Sequence, residues 1–205
     1  MHKQDSFYKQ AKAEGYRARS AYKLLDIQKR FNVFKRAFYI LDLGSAPGSW
    51  LQVAKKFVEE NLDKYKDQYY HRDHYKIMGV DTKKISPIEN IKIIKANFTK
   101  LEIQEQINLY FKDKLDLILS DASIKKTGNK FTDHINQLNL CYEILKIVEK
   151  NLKRKGNVVM KAFQGSDFKK IEEKMNSKFK FLKSYKPKSS KKKSNEIFII
   201  GLSKN

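Results

Sequence analysis

Seven short apolar runs alternate along the chain with longer amphipathic stretches. The runs are FYILDL at 38–43, YKIMGV at 75–80, IKIIKA at 91–96, LDLILS at 115–120, GNVVMKAF at 156–163, FKFLKSY at 179–185 and EIFIIGL at 196–202. Their lengths and their β-branched and aromatic content are typical of β-strands. The pattern therefore predicts a seven-stranded sheet.

The stretches with helical spacing of apolar residues cover 6–14, 18–34, 49–60, 99–112, 133–153 and 166–177. Alternation of strands and helices predicts a parallel sheet with helices on both faces. The link between the last two runs is too short for a helix and suits a hairpin, so the final strand should be antiparallel. We predict an α/β, doubly wound fold with a mixed sheet, formed by a single domain over 1–205.

One segment fits neither period. Residues 61–76, NLDKYKDQYYHRDHYK, are polar and aromatic, and we interpret them as a loop inserted between the first helix and the second strand. His71 and His74 lie in this segment, but no cysteine or second ligand pair accompanies them at a metal-site spacing. An exposed loop is therefore favoured over a metal site.

The chain carries 44 basic and 23 acidic residues, a net charge of +21. This balance indicates a polyanionic partner, which is more often nucleic acid than an anionic membrane surface. A lysine-rich genome is the alternative explanation. However, the charge is concentrated in the predicted helices of 1–36 and in KSYKPKSSKKKS at 183–194. These two segments predict an RNA-binding surface, on which Tyr8, Tyr16 and Tyr22 would either stack on bases or pack the helices.

Other features limit the class of protein. No apolar run approaches the roughly 18 residues of a membrane span, and the basic runs lack an apolar face, which argues against a membrane partner. The one cysteine, Cys141, excludes a disulfide scaffold and fits a reducing, intracellular compartment. No secretory signal opens the chain, and cytoplasm, nucleolus and mitochondrion are not separable on this basis. We expect a monomer.

The stretch LDLGSAPGSW at 41–50 follows the first predicted strand directly. Its glycines are four residues apart with Pro47 between them, unlike the G-x-G-x-x-G loop that holds a pyrophosphate. Asp81 ends the second strand, where an acidic side chain typically accepts hydrogen bonds from ribose hydroxyls. A nucleoside without a pyrophosphate fits both observations, and S-adenosylmethionine is the obvious candidate.

Polar residues recur at the carboxyl ends of the predicted strands, where α/β sheets bind ligands. Asp81, Asn97 and Asp121 follow the second, third and fourth strands, and Lys161 lies near the end of the fifth. A lysine inside the buried run VVMKAF is costly unless it is paired. Each residue alone would pass for a cap or a turn residue, but together they predict a site.

The segments RARSAYKLLDIQ, LDLGSAPGSW, LILSD, NVVMKAFQG and YKPKSSKKKSNEIFII resemble, in this order, the FtsJ-like family of RNA 2′-O-ribose methyltransferases. The resemblance extends from about Tyr8 to Leu202. It implies a Rossmann-like methyltransferase fold, S-adenosylmethionine as the donor and a catalytic tetrad of Lys23, Asp121, Lys161 and Glu196. The cofactor-binding positions that it implies are Gly44, Ser45, Gly48, Trp50, Asp81, Asn97 and Asp121.

The tetrad has a chemical rationale. A ribose hydroxyl is a weak nucleophile that needs a positioned base, and lysine serves as a base only when burial and a nearby cation lower its pKa. We hypothesise that Lys161 is this base, that Lys23 is the second cation, and that Asp121 and Glu196 orient the pair. Two departures from the family pattern are ASIKKTG after Asp121 and Asn97 in place of the usual aspartate.

The resemblance favours a uridine of large-subunit ribosomal RNA as the target, as in members that include mitochondrial ones. RARSAYKL points toward relatives that modify the tRNA anticodon loop, and this alternative stays open. A catalytically idle RNA-binding module on the same fold is the alternative of another class. A small-molecule methyltransferase is disfavoured, because such an enzyme has no use for a net charge of +21.

Overall fold

The computed structural model describes residues 6–65, 73–125, 127–165, 167–191 and 193–205, and the side chain of Lys130 is not described. Its strands are β1 (Tyr39–Leu43), β2 (Lys76–Asp81), β3 (Ile91–Lys95), β4 (Leu115–Ser120), β5 (Leu152–Phe163), β6 (Phe179–Tyr185) and β7 (Glu196–Lys204). Its helices are α1 (Ser6–Ala13), α2 (Ala21–Phe31), α3 (Ser49–Lys64), α4 (Leu101–Phe111), α5 (Lys130–Asn151) and α6 (Phe168–Asn176).

The strands form one sheet in the order β3-β2-β1-β4-β5-β7-β6. Strands β1 to β5 pair in parallel, whereas β7 pairs antiparallel with both β5 and β6. The predicted α/β mixed sheet with an antiparallel last strand is confirmed. The hairpin places β7 between β5 and β6, so its first residue lies beside the carboxyl end of β5.

Each face of the sheet has its own core. On one face, α4, α5 and α6 contribute side chains such as Ile107, Val148 and Met175. On the other face, α2 and α3 contribute side chains such as Leu24 and Leu51. The prediction of helices on both faces is confirmed. Within the described residues, no helix is long and apolar enough to cross a membrane.

The predicted boundaries differ from the structure most at the fifth strand. The predicted helix runs to 153 and the predicted strand begins at 156, but α5 ends at Asn151 and β5 begins at Leu152, so the basic run 153–155 belongs to the strand. Leu152 is buried and pairs with Leu115, and the register then shifts, so that Leu117 pairs with Asn157. An apolar residue before a run of three cations therefore starts the strand four residues early.

The segment predicted as a loop insertion, 61–76, begins within α3 and ends in β2. Residues 66–72, His71 among them, lie outside the described residues. His74 contacts the Tyr39 hydroxyl through Nε2 at 2.7 Å and the Asp73 carboxylate through Nδ1 at 2.6 Å. Ser166 is also outside the described residues, and Asp167, the residue before α6, forms no side-chain cap bond.

Asp116 ties the amino-terminal edge of the sheet together. The carboxylate is buried, and its Oδ2 accepts hydrogen bonds from the backbone N–H groups of Phe38 and Tyr39 at 2.8 and 2.7 Å. Its Oδ1 forms an ion pair with Lys153. This one side chain therefore satisfies two buried donors at the start of β1 and balances the first cation of the basic run.

We expect Asp116→Ala to lower the free energy of unfolding by about 2–4 kcal/mol, because it leaves two buried N–H groups and a lysine without their acceptor. Chemical denaturation would measure the change. Asp63→Ala, which removes an exposed carboxylate on α3, is the control and should change the same quantity by less than about 0.5 kcal/mol. Equal effects of the two substitutions would contradict this role of Asp116.

Candidate active site

Four charged side chains from distant parts of the sequence meet at the carboxyl edge of the sheet. Lys161 Nζ lies 3.0 Å from Asp121 Oδ1, Lys23 Nζ lies 3.8 Å from the same oxygen, and Lys23 Nζ lies 2.8 Å from Glu196 Oε1. The side chains are only 7–18% exposed. The structure thus brings together all four residues of the predicted tetrad, with two lysines and two carboxylates in alternation.

The pairing of β5 with β7 fixes one side of this cluster. Lys161 is opposite Phe198, and Glu196 is two residues before Phe198, so the three side chains share one face of the sheet. Lys161 Nζ also donates to the Asp121 carbonyl oxygen at 2.6 Å. Lys23 Nζ lies 5.6 Å from the centroid of the Phe198 ring. Phe198, which the sequence did not single out, therefore packs beneath both lysines of the cluster.

Helix α2 brings Lys23 to the site, and its first turn is attached to the glycine-rich loop. The Ser20 and Ser49 hydroxyls are 2.8 Å apart, and the indole N–H of Trp50 donates to the Ser20 carbonyl at 2.8 Å. The indole is 2% exposed and lies 5.7 Å from the Phe198 ring. The large aromatic of the loop therefore faces the core, and only the backbone of Trp50 is left for the predicted donor contact.

The two glycines of the loop adopt backbone conformations that other residues disfavour. Gly44 has φ +79°, and a Cβ there would lie 2.6 Å from the Cβ of Ala122. Gly48 has φ +109°, and a Cβ there would lie 2.8 Å from Nη1 of Arg17. Ser45 is buried, and its hydroxyl donates to the Asp42 carbonyl at 2.6 Å. Backbone atoms rather than side chains are therefore the means by which this loop would hold a ligand.

Asp81 and Asn97 lie at the carboxyl ends of β2 and β3, as predicted, and both shape their own loops. Asp81 accepts hydrogen bonds from the N–H groups of Ala46 (2.9 Å) and Lys83 (2.8 Å), one on each carboxylate oxygen. Asn97 Oδ1 accepts from the N–H and the hydroxyl of Thr99, both at 3.0 Å. A carboxylate oxygen has lone pairs beyond these bonds, whereas Asn97 offers chiefly its amide nitrogen.

Arg17 is a second residue that the sequence analysis did not single out. Its guanidinium donates to the carbonyls of Pro47 (3.2 Å), Ser86 (2.7 Å) and Pro87 (2.8 Å). It therefore joins the loop after β1 to the loop after β2. In the sequence, Arg17 is only one of the cations of the basic segment 1–36. The contacts in the folded chain show that its guanidinium binds protein backbone.

Gln137 of α5 supports the loop in which the chain departs from the family pattern. Its Oε1 accepts from the N–H of Ile124 at 3.1 Å, and its Nε2 donates to the Ala122 carbonyl at 3.5 Å. Gln137 is 2% exposed. The segment after Asp121 is therefore attached to α5 up to Ile124, while Lys126 lies outside the described residues.

Asp42 is a fully buried acid in β1, between Gly79 and Leu119 of the neighbouring strands. Neither carboxylate oxygen has a hydrogen-bond partner among the described residues, since the nearby Ser45 hydroxyl donates to the Asp42 carbonyl instead. Burial, with the negative charge of Asp121, raises the pKa of Asp42 well above its ordinary value. A polar residue in an otherwise apolar strand was the sequence signal for it.

Glu196 has the opposite shift. Its burial alone would raise the pKa, but the hydrogen bond and the positive charge of Lys23 outweigh burial, and the pKa of Glu196 is lowered from 4.5. The carboxylate therefore stays ionised to a lower pH than an unpaired glutamate does. Charge pairing, more than exposure to water, keeps this acid ionised.

Comparison with known proteins identifies the family of this chain. The model of the FtsJ-like methyltransferases matches residues 16–204. This chain belongs to that family.

Its relatives include ribosomal RNA large subunit methyltransferase E of Pelagibacter ubique, which is 38% identical over 97% of this chain and 91% of its own length. The protein of the same name from Methanobrevibacter smithii is 37% identical over 98% of this chain and 90% of its own length. A crystal structure from Plasmodium falciparum, described as a ribosomal RNA methyltransferase, has a TM-score of 0.74 and 29% identity, covering 92% of this chain and 98% of that one.

A more distant structure is fibrillarin of Aeropyrum pernix, solved with S-adenosyl-L-methionine bound. It has a TM-score of 0.56 and 14% identity, covering 91% of this chain and 75% of the other. At this identity the likeness concerns the fold alone. The predicted Rossmann-like methyltransferase fold is confirmed.

We expect Asp42→Asn to stabilise the protein more as the pH rises. The raised pKa means that the folded state keeps a proton that the unfolded chain loses above about 3.8, so the stability of the natural chain falls with increasing pH. Asparagine has no proton to keep. Denaturation at about pH 5 and about pH 8 would measure the difference, with Asp63→Asn as the control. A difference independent of pH would contradict a buried neutral Asp42.

We expect Lys23→Met to raise the pKa of Glu196, because burial then acts without the opposing lysine. In the natural chain the lowered pKa stabilises the fold above about 4.5, and this contribution disappears as the pH falls through the folded value. NMR titration of the glutamate carboxyl carbons would follow the shift. Lys29→Met, an exposed lysine of the same helix, should leave it unchanged.

Proposed function

We propose that this member of the FtsJ-like family transfers a methyl group from S-adenosylmethionine to a ribose 2′-hydroxyl of large-subunit ribosomal RNA. The observation that carries the reaction type is the meeting of Lys23, Asp121, Lys161 and Glu196 within ion-pair distance. The names of the relatives at 37–38% identity support the RNA class. The tRNA alternative has no such support.

The chain offers a fitting site for the donor at the carboxyl ends of β1, β2 and β3. The backbone of Gly44 to Trp50 can approach a ligand closely because both glycines lack a Cβ. Asp81 would accept hydrogen bonds from the ribose hydroxyls. The amide nitrogen of Asn97 would donate to a ring nitrogen of adenine, where an aspartate would accept from the amino group instead. Bound there, S-adenosylmethionine supplies an electrophilic methyl group.

The tetrad would position the hydroxyl and remove its proton. Asp121 holds Lys161 Nζ through both its carboxylate and its carbonyl oxygen, which limits the lysine to one position beside the donor site. In its neutral form, Lys161 would accept the proton of the 2′-hydroxyl as the oxygen attacks the methyl group, while the bond between that methyl and the donor sulfur breaks and S-adenosylhomocysteine leaves. Lys23, held by Glu196, adds positive charge near the oxygen on which negative charge develops. Positioning contributes most of the acceleration.

The two basic segments of the sequence would form the RNA surface beside this site. Arg19, four residues before Lys23, donates to the Ser189 carbonyl at 2.6 Å, which joins the amino-terminal helices to the loop after β6. A cavity of about 430 Å³ opens between them, and its lining includes Arg19, Lys188, Lys191 and Lys193. This supports the assignment of 1–36 to RNA binding within a single methyltransferase domain.

The tyrosines of the amino-terminal segment divide into two groups. Tyr22 packs against Phe7 and Tyr16, with ring centroids 5.5 and 6.0 Å apart, and is largely buried. Tyr8 is 52% exposed. Only Tyr8 is therefore suited to stack on a base, while Tyr16 and Tyr22 pack the helices.

We expect Lys161→Ala to lower kcat at least about 100-fold, because a general base contributes about 10²–10⁴-fold. Lys161→Arg should do the same, since a guanidinium does not act as a base at neutral pH. The measurement is transfer of labelled methyl to unmodified ribosomal RNA, large ribosomal subunits and tRNA, with donor affinity measured in parallel. Lys76→Ala is the control, because Lys76 is a lysine bonded to two carbonyls at the start of β2.

Three outcomes would contradict the proposal in different ways. Full activity of Lys161→Arg would show that Lys161 is not the base. Transfer of label to tRNA alone would show that the substrate is tRNA and not ribosomal RNA. Donor and RNA binding by the natural chain without any transfer would indicate an idle RNA-binding module.

A further inference from the structure

A large cavity lies at the opposite edge of the sheet from the tetrad. It has a volume of about 950 Å³ and is formed by the amino-terminal ends of β4, β5 and β6, the carboxyl end of β7 and the turn between α2 and β1. Lys155 in its lining and Lys161 of the tetrad are six residues apart on β5, which corresponds to roughly 20 Å. This basal cleft, as we name it, is therefore separate from the donor site.

The basal cleft is strongly positive. Its lining contains Lys35, Arg36, Lys153, Arg154 and Lys155, against the single carboxylate of Asp116. Asp116 is buried, bonded to two backbone N–H groups and paired with Lys153. Lys35, Arg154 and Lys155 are exposed and have no carboxylate within ion-pair distance in the described part of the chain. Three cations thus remain for an external anion.

The backbone around the cleft is held in disfavoured conformations. Six non-glycine residues of the described chain have positive φ, and four of them line this cavity: Asn32 (51°), Arg36 (58°), Lys155 (64°) and Ser203 (58°). Asparagine tolerates this region, but arginine and lysine rarely adopt it. Such strain persists where the surroundings impose it, and it concentrates at functional sites.

The wall is rigid and carries an exposed aromatic ring. Asn157 donates to the Val33 carbonyl and accepts from the N–H of Ser203, both at 3.0 Å, and so links three segments of the lining. Phe181 on the rim is 54% exposed. Cations beside an exposed aromatic side chain are the combination that binds phosphates and stacks bases. An anionic membrane would instead require a broad apolar face.

We propose that the basal cleft is a second RNA-binding site, which holds the sugar–phosphate backbone of the ribosomal RNA substrate at a distance from the target ribose. Arg154 and Lys155 contact phosphates, and Phe181 stacks on an unpaired base. This inference rests on the proposed function, since that function identifies the polyanion. It assigns a role to the basic run 153–155, which is not part of the active site.

The test compares two matched double variants of the full chain. Arg154→Gln with Lys155→Gly removes two exposed cations of the cleft and places glycine at a left-handed position. Lys92→Gln with Lys112→Gly is the control, because these lysines are also exposed, Lys112 also has positive φ (55°), and neither lines the cavity. Both variants should fold, and glycine should relieve backbone strain in each.

The readouts are the affinity for a transcript of large-subunit ribosomal RNA over a range of salt concentrations, and the affinity for S-adenosylmethionine. A plot of the log association constant for RNA against log salt concentration has a negative slope. We expect this slope to be shallower by about 1.5 for the cleft variant than for the control, and RNA binding to be about 10-fold weaker near physiological salt. Donor affinity should be unchanged. Phe181→Leu should weaken RNA binding without changing the slope.

Two results would overturn the inference. One is RNA affinity and salt slope of the cleft variant equal to those of the control. The other comes from measuring the affinity of both variants for assembled large subunits as well: weaker binding of the cleft variant to subunits, with equal binding of both variants to bare RNA, would indicate an acidic protein as the partner. Because the readout is RNA binding, a natural chain that binds RNA but transfers no methyl would contradict the proposed function and leave this test valid.

Discussion

The arrangement of the site depends on the ion pair between Lys161 and Asp121. A lysine on a central strand is tolerated only with a carboxylate beside it, and Asp121 supplies this from the end of the neighbouring β4. The same carboxylate oxygen faces Lys23, which in turn pairs with Glu196. Removing one member leaves a buried charge uncompensated, so the four residues behave as a unit. Strand register positions Lys161 and Glu196, and α2 positions Lys23.

Hydrogen bonds and ring contacts around this unit connect it to the glycine-rich loop after β1. Trp50 and Ser49 hold the start of the helix that carries Lys23, and Phe198 lies under both the indole and the lysine. Arg17 joins the loops after β1 and β2. Trp50, the large aromatic in LDLGSAPGSW, therefore links the loop that would hold the donor to the helix that carries Lys23, the proposed catalytic cation.

Charge is arranged differently at the two edges of the sheet. At the carboxyl edge, two lysines are neutralised by two carboxylates, and further positive charge lies on Arg19 and on Lys188, Lys191 and Lys193 of the loop after β6. At the amino edge, one buried carboxylate leaves most of the cations exposed. A net charge of +21 thus has at least two locations in the folded chain.

The fold class, the seven strands and the edge of the sheet at which polar residues collect can be predicted from the sequence, because apolar periodicity and strand order along the chain are local properties. The family resemblance adds four charged residues, which the structure brings together. Contacts in the folded chain place β7 between β5 and β6, turn Trp50 toward the core and direct Arg17 to backbone carbonyls. They also bury Asp42, whose carboxylate has no hydrogen-bond partner among the described residues. Side-chain direction, strand order in space and burial depend on contacts between residues far apart in the chain, and no local pattern specifies them.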